Sequence, residues 1–277
     1  MGDKSEFSVR FWGTRGSIAC PGQEYVRYGG NTSCLEVLCG DQRLIFDAGT
    51  GIRPLGVELA KLGPNDLDIF FTHTHFDHVC GLTFFASLFC KASKVRMWAG
   101  HLLPELDLKK VLHHLMMAPL YPVSLDIFQA AVSFNDFKVG ETLHPHPGVT
   151  LRTAPLNHPN GASGYRIEYN GKSICYITDT EHFPDRIDEN IRQLVQGADV
   201  MIYDSTYTDA EYPKYRGWGH STWQAGARLA EAAGVKQFVI FHHDPSHDDE
   251  FMDKVAAEAE QLRPGTLVAR EGMVLRP

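Results

Sequence analysis

The apolar run Leu67 to Phe71 stops abruptly at Thr72-His73-Thr74-His75-Phe76-Asp77-His78. Three imidazoles and a carboxylate fall within the six positions 73 to 78, directly after what reads as a buried strand. No hydrophobic core asks for such a cluster. A loop of alternating side chains can turn His73 and His75 toward one cation and Asp77 and His78 toward a second, since imidazole and carboxylate both suit zinc and its neighbours. The bland alternative is a solvated loop with chance histidines, and the density beside a strand end counts against it.

The remaining pattern shows where further ligands could come from. Glu6 to Trp12, Thr32 to Cys39 and Arg43 to Phe46 read as strands separated by turn-rich segments, and Lys94 to Trp98 as another. Helices are predicted over 78 to 90 and 105 to 117. In the second half, strands are predicted over 150 to 154, 164 to 169 and 173 to 178, the last two joined by Asn170-Gly171, a strong hairpin signal. Strands over 198 to 203, 236 to 241 and 267 to 270 alternate with helices over 222 to 233 and 249 to 262. Strands in two groups, each followed by helices, predict two sheets packed face to face with helices outside, an α/β architecture of four layers, αββα. His158, Asp179, Asp204 and His242 then fall at or just beyond strand ends.

Composition narrows the function classes. With 277 residues, 43% of them hydrophobic, and no linker-like stretch, the chain is expected to form one domain over 1–277. A net charge of -8 disfavours a long polyanion, because nucleic-acid affinity rests on Lys and Arg neutralising phosphates. No run of about 20 apolar residues suggests a membrane span, and the polar start Met1 to Phe7 lacks a signal-peptide core, so a cytoplasmic location is expected. Six scattered cysteines read as free thiols, Cys175 as core.

The H-x-H-x-D-H run resembles the signature of the metallo-β-lactamase superfamily, and the partners follow in that family's order over nearly the whole chain. The resemblance implies the αββα metallo-β-lactamase fold and a two-metal site. His158 in Pro155-Leu156-Asn157-His158 is similar to the family's third histidine, Asp179 in Ile177-Thr178-Asp179-Thr180 to its bridging carboxylate, and His242 in Phe241-His242-His243-Asp244 to its last ligand. His243 is the alternative to His242. The implied cofactor is a pair of divalent ions, zinc first, with manganese, iron and cobalt open. An Asp at 179, where two-zinc β-lactamases commonly use Cys, resembles phosphodiesterases and lactonases instead.

Asp204-Ser205-Thr206-Tyr207 and Gly219-His220-Ser221-Thr222 resemble the short ribonuclease Z-like group, in which a histidine and a carboxylate pair beside the metals. The match implies that Asp77, Asp204 and His220 belong to the catalytic set: His220 protonates the leaving oxygen and Asp204 orients its ring. Otherwise His220 only packs at the following helix and Asp204 only ends a strand. The same resemblance offers Arg15, Asn31 and Ser33 as substrate-binding candidates, against a plain turn at Gly29-Gly30-Asn31. Ribonuclease Z carries a long arm that grips transfer RNA after Gly164-Tyr165-Arg166-Ile167-Glu168; here only Tyr169-Asn170-Gly171 intervenes before Lys172. The expectation is therefore a metal-dependent phosphodiesterase acting on a small phosphodiester such as a cyclic nucleotide, binding neither long nucleic acid nor membrane. Lactone or thioester hydrolysis, and a non-catalytic metal-bearing sensor, are the competing readings. The Leu-, Met- and Phe-rich stretch 103–133 is open between lid, dimer contact and core.

Overall fold

The computed structural model describes residues 5–277; the first four residues of the polar start lie outside that range. The first half supplies β1 (Phe7–Gly13), β2 (Cys34–Cys39), β3 (Gln42–Phe46), β4 (Asp66–Phe71), β5 (Lys94–Ala99) and β6 (Ala131–Asp136). The second supplies β7 (Thr142–Leu143), β8 (Thr150–Leu156), β9 (Ala162–Tyr169), β10 (Lys172–Ile177), β11 (Val200–Asp204), β12 (Gln237–Phe241) and β13 (Leu267–Val268), and β14 (Val274–Leu275) returns to the first sheet. The strand orders are β14-β1-β2-β3-β4-β5-β6 and β13-β12-β11-β10-β9-β8-β7.

In each sheet an antiparallel ribbon leads into a parallel stack. β3 through β6 run parallel in the first sheet, and β10 through β13 in the second. The carboxyl ends of parallel strands share one edge, where open α/β sheets place their ligands. Alternating side chains fill three layers. Between the sheets lie Phe11, Phe46, Phe70, Tyr165, Tyr176 and Phe241. Outside the first sheet, α1 (Ile52–Ala60) and α3 (Leu108–Leu115) cover Ile45, Ile69 and Phe71. Outside the second, α4 (Glu189–Val195), α5 (Trp223–Ala232) and α6 (Asp249–Leu262) cover Cys175, Met201, Tyr203 and Ile240. This is the four-layer αββα sandwich, with a further one-turn helix, α2 (Phe76–Val79), between β4 and β5.

One expectation needs correction, one open stretch is resolved, and some elements were not anticipated. The helix over 78 to 90 is instead α2 followed by two 3₁₀ turns, Leu82–Phe84 and Ala86–Phe89. Buried Leu82, Phe85 and Leu88 recur every third residue, the 3₁₀ period. Gly81 packs so closely that a Cβ there would lie 2.0 Å from the Gly49 carbonyl oxygen. Within 103–133, Leu108, Leu112 and Met116 join the core while Leu120 and Met117 stay exposed, and the segment ends in β6, an edge strand that was not anticipated. Helices α1 and α4 were also missed. Among the described residues no helix is long and apolar enough to cross a membrane.

Candidate metal centre

The strand ends deliver the histidines and carboxylates to one place. After β4, the 73–78 loop gives His73, His75, Asp77 and His78; His158 follows β8, Asp179 follows β10, Asp204 ends β11 and His242 follows β12. Donor atoms of His73, His75 and His158 lie within 4.8 Å of one another, as do those of Asp77, His78 and His242. Asp179 stands between the two groups. Its Oδ1 is 3.7 Å from His73 Nε2 and 3.6 Å from His158 Nε2, and its Oδ2 is 3.1 Å from His78 Nε2 and 3.3 Å from His242 Nε2. One carboxylate thus offers one oxygen to each triad. That is the arrangement a bridging ligand between two cations requires.

Each ring is turned by what its outer nitrogen meets. Buried Asp47, just past β3, accepts from His78 Nδ1 at 2.9 Å and from the Thr72 amide and hydroxyl. Thr72 gives its proton to Asp47, so its oxygen is left to accept from His73 Nδ1 at 3.1 Å. Thr206 repeats the device: it donates to Asp204 Oδ1 at 2.8 Å and lies 3.0 Å from His242 Nδ1. His158 Nδ1 donates to the Gly219 carbonyl at 2.8 Å. The inner nitrogens are left without partners: Nε2 of His73, His78 and His242 are buried and make no hydrogen bond. Such orphaned nitrogens are costly in a folded interior, and a cation accepts the lone pairs of all of them at once. The donor set therefore fits two divalent ions.

Electrostatics agree. Burial would push Asp179 up, but the charges of His242, His78 and His73 outweigh it and hold the carboxyl well below its usual range; Asp77 behaves likewise beside His78 and His242. Burial, then neighbouring His78, drives His73 down, and burial lowers His158. For His78 burial is outweighed by Asp179, Asp77 and Asp47, which raise it. Carboxylates that favour a proton there favour a doubly charged ion in the same place more strongly.

Beside this cluster, His220 Nδ1 lies 2.9 Å from Asp204 Oδ2 and 3.8 Å from Asp179 Oδ1, and its ring stacks on His242 at 5.0 Å. Burial works against the charged ring, but Asp204 and then Asp179 raise it to about 9. The pair predicted from the sequence is thus brought together against the ligands.

Several candidates go elsewhere. His243 is fully buried, 2.9 Å from the Ala269 carbonyl and driven by burial down to about 3; it is His242 whose ring nitrogen groups with Asp77 and His78. Arg15 is completely buried and donates to the carbonyls of Gly29, Asp244 and His247, so it braces loops and cannot grip a substrate. Asn31 is spent on Glu271 and Ser33 is sealed inside. Cys175 is core, its thiol raised by burial to about 12. Sequence reasoning missed Asp47 and Thr206. Asp47 had a signal: a carboxylate at a strand end ahead of Ala48-Gly49-Thr50-Gly51, the same placement that exposed the other ligands.

Comparison with known proteins agrees with this geometry. The profile described as "Beta-lactamase superfamily domain" matches residues 42–243. Ribonuclease Z of Gemmatimonas aurantiaca is 25% identical over 95% of this chain and 94% of its own length. Ribonuclease Z of Brevibacillus brevis is 32% identical, but over only 36% of this chain and 31% of that one, so the chain spans under a third of that relative. Among solved structures, the metallo-β-lactamase fold protein YhfI from Bacillus subtilis aligns with TM-score 0.72 at 15% identity over 98% of this chain and 99% of its own. Human tRNase Z, short form, aligns with TM-score 0.66 at 20% identity over 97% and 98%. Similarity to enzymes named ribonuclease Z weighs against excluding a long nucleic acid on net charge alone. The chain belongs to the β-lactamase superfamily.

Proposed function

We propose that the chain is a phosphodiesterase acting on a small phosphodiester, such as a cyclic nucleotide, with two divalent ions, zinc foremost, held by the seven residues above. The observation that carries this reading is the His220–Asp204 pair standing against the bridging carboxylate. Divalent ions held in this site would polarise phosphoryl oxygens and lower the pKa of bound water from about 15.7 toward about 7. The chain's own residues do the rest. Asp204 accepts the hydrogen bond of His220 Nδ1–H, which leaves Nε2 for the substrate, and Asp204 and then Asp179 favour the charged imidazole. A charged imidazole beside the phosphorus can donate its Nε2 proton to the departing alkoxide, a step for which carbonyl substrates with better leaving groups have less need. Thr206 and Thr72 hold the neighbouring ligand rings.

A small substrate is supported by the hairpin between β9 and β10, closed by Asn170 and Gly171, both at positive φ. That is the place where the resemblance to ribonuclease Z would put a gripping arm. His220→Ala should lower kcat on bis(p-nitrophenyl) phosphate by about 10² to 10⁴ with two metals still bound. An unchanged phosphodiesterase rate alongside lactone hydrolysis would move the chain to the lactonases. Cleavage of precursor transfer RNA without turnover of cyclic nucleotides or dinucleotides would replace the small substrate with a large one.

A further inference from the structure

Four hydrogen-bond contacts that the mechanism leaves out converge on a single carboxylate. Glu181, two residues beyond Asp179, accepts from the Gly217 amide at 2.8 and 2.9 Å through its two oxygens, from the Gly219 amide at 3.0 Å and from the Tyr212 hydroxyl at 2.8 Å. Gly217 and Gly219 have φ of +85° and +84°, a backbone that L side chains resist. Converging amides in such a turn form an anion-binding concavity, and here the anion is built into the chain. The main chain of Glu181 is fixed too: its amide donates to the Asn157 carbonyl at 2.8 Å, and Asn157 Nδ2 donates back to the Glu181 carbonyl at 2.8 Å. One residue thus ties together the loops that carry Asp179, His158 and His220.

The tie reaches the metal centre through Gly219. Its carbonyl accepts the hydrogen bond of His158 Nδ1–H at 2.8 Å, the bond that decides which nitrogen of that ring faces the ligand cluster. The contact is close: a Cβ on Gly219 would lie 2.4 Å from His158 Nδ1 and 2.3 Å from Pro159 Cδ. His220 follows directly, its ring 5.3 Å from that of His158. A shift of the 217–219 turn therefore moves the acceptor of one histidine and the backbone of the other together.

We propose that Glu181 is a positioning residue which, through the 217–219 turn, sets His158 as a ligand and His220 as a proton donor. The His220 half rests on the phosphodiesterase reading; the His158 half stands without it.

The test is a zinc titration of Glu181→Ala and Glu181→Gln, prepared metal-free, against a competing chelator. For Glu181→Ala, one of the two zinc affinities should weaken about 10- to 100-fold while the other changes by less than about 3-fold. Long-range ¹H–¹⁵N imidazole correlation on the metal-free protein should show the single Nδ1–H tautomer of His158 giving way to a mixture. Glu181→Gln keeps one carbonyl acceptor and should fall between wild type and Glu181→Ala. At saturating zinc, kcat on bis(p-nitrophenyl) phosphate should drop with KM unchanged. Unchanged affinities and tautomer would overturn the assignment, as would equal weakening of both sites with a lowered Tm, the mark of general loosening. A changed tautomer and a split in affinities, with no phosphodiester turnover even in the unaltered protein, would defeat the substrate reading and leave Glu181's role standing.

Discussion

Asp179 concentrates the chemistry of the site in two oxygen atoms. Its backbone sits at φ +56°, as does that of His242 at +65° and Asp47 at +60°. Non-glycine residues tolerate this region poorly, Asp and Asn best, so the strain sits at site residues. Asp179→Asn keeps the tolerated backbone and nearly the same shape but removes the charge shared by the two triads. It should reduce bound zinc from two ions to one or none and activity by at least about 100-fold. Elemental analysis alongside turnover checks this, and two ions with full activity would refute the bridging role. At this scale an ordered set of histidines was readable because ligand chemistry restricts residue types. Arg15 was offered as a binding residue because its glycine-rich segment resembles one that approaches the site, whereas it is buried and its Nε and Nη1 donate to three backbone carbonyls contributed by residues as distant in sequence as His247.

At the scale of elements, the strands and long helices followed their periodicity and turn residues. α5 begins within a residue of the expected start, with Thr222 as its N-cap, whose hydroxyl oxygen accepts from the Ala225 amide at 3.0 Å. Thr222→Ala should cost about 1 kcal/mol in urea unfolding, and no loss would mean that the cap is idle. What sequence left hidden are the helices α1 and α4, the short pieces fixed by tertiary contact (α2 and its 3₁₀ turns, held by close packing at Gly81), and the edge strand β6, whose mixed polarity is that of a strand half-buried on one face. The far end of the second sheet is joined by Asp199, which accepts from the Ser173 amide and from Lys236. Burial would raise its carboxyl, but those bonds and the charges of Lys236 and Lys172 outweigh it, so it lies below its usual 3.8. A folded pKa below the unfolded one means stability that is complete above about pH 4 and is lost as pH falls through the lower, folded value. The urea midpoint of Asp199→Ala should therefore trail wild type clearly at pH 7 and converge on it near pH 2; a constant gap would deny the linkage.

On the scale of the whole molecule, each ligand triad draws on both halves of the chain. His73 and His75 come from the first half and His158 from the second; Asp77 and His78 come from the first and His242 from the second. Ions bound there stabilise only the associated state. With free zinc at about 1,000 times its Kd, each independent site adds about 4 kcal/mol, so EDTA treatment should lower Tm by several degrees and speed amide exchange along the ligand loops before the sheet interiors. An unaltered Tm would refute this.

The chain crosses from one sheet to the other near residue 140 and recrosses only at β14. Metal would then work as a pair of rivets through the seam between two leaves, and a polypeptide nicked at that crossing, still joined by the aromatic layer and by β14 against β1, should come apart at a lower urea concentration once the zinc is drawn out.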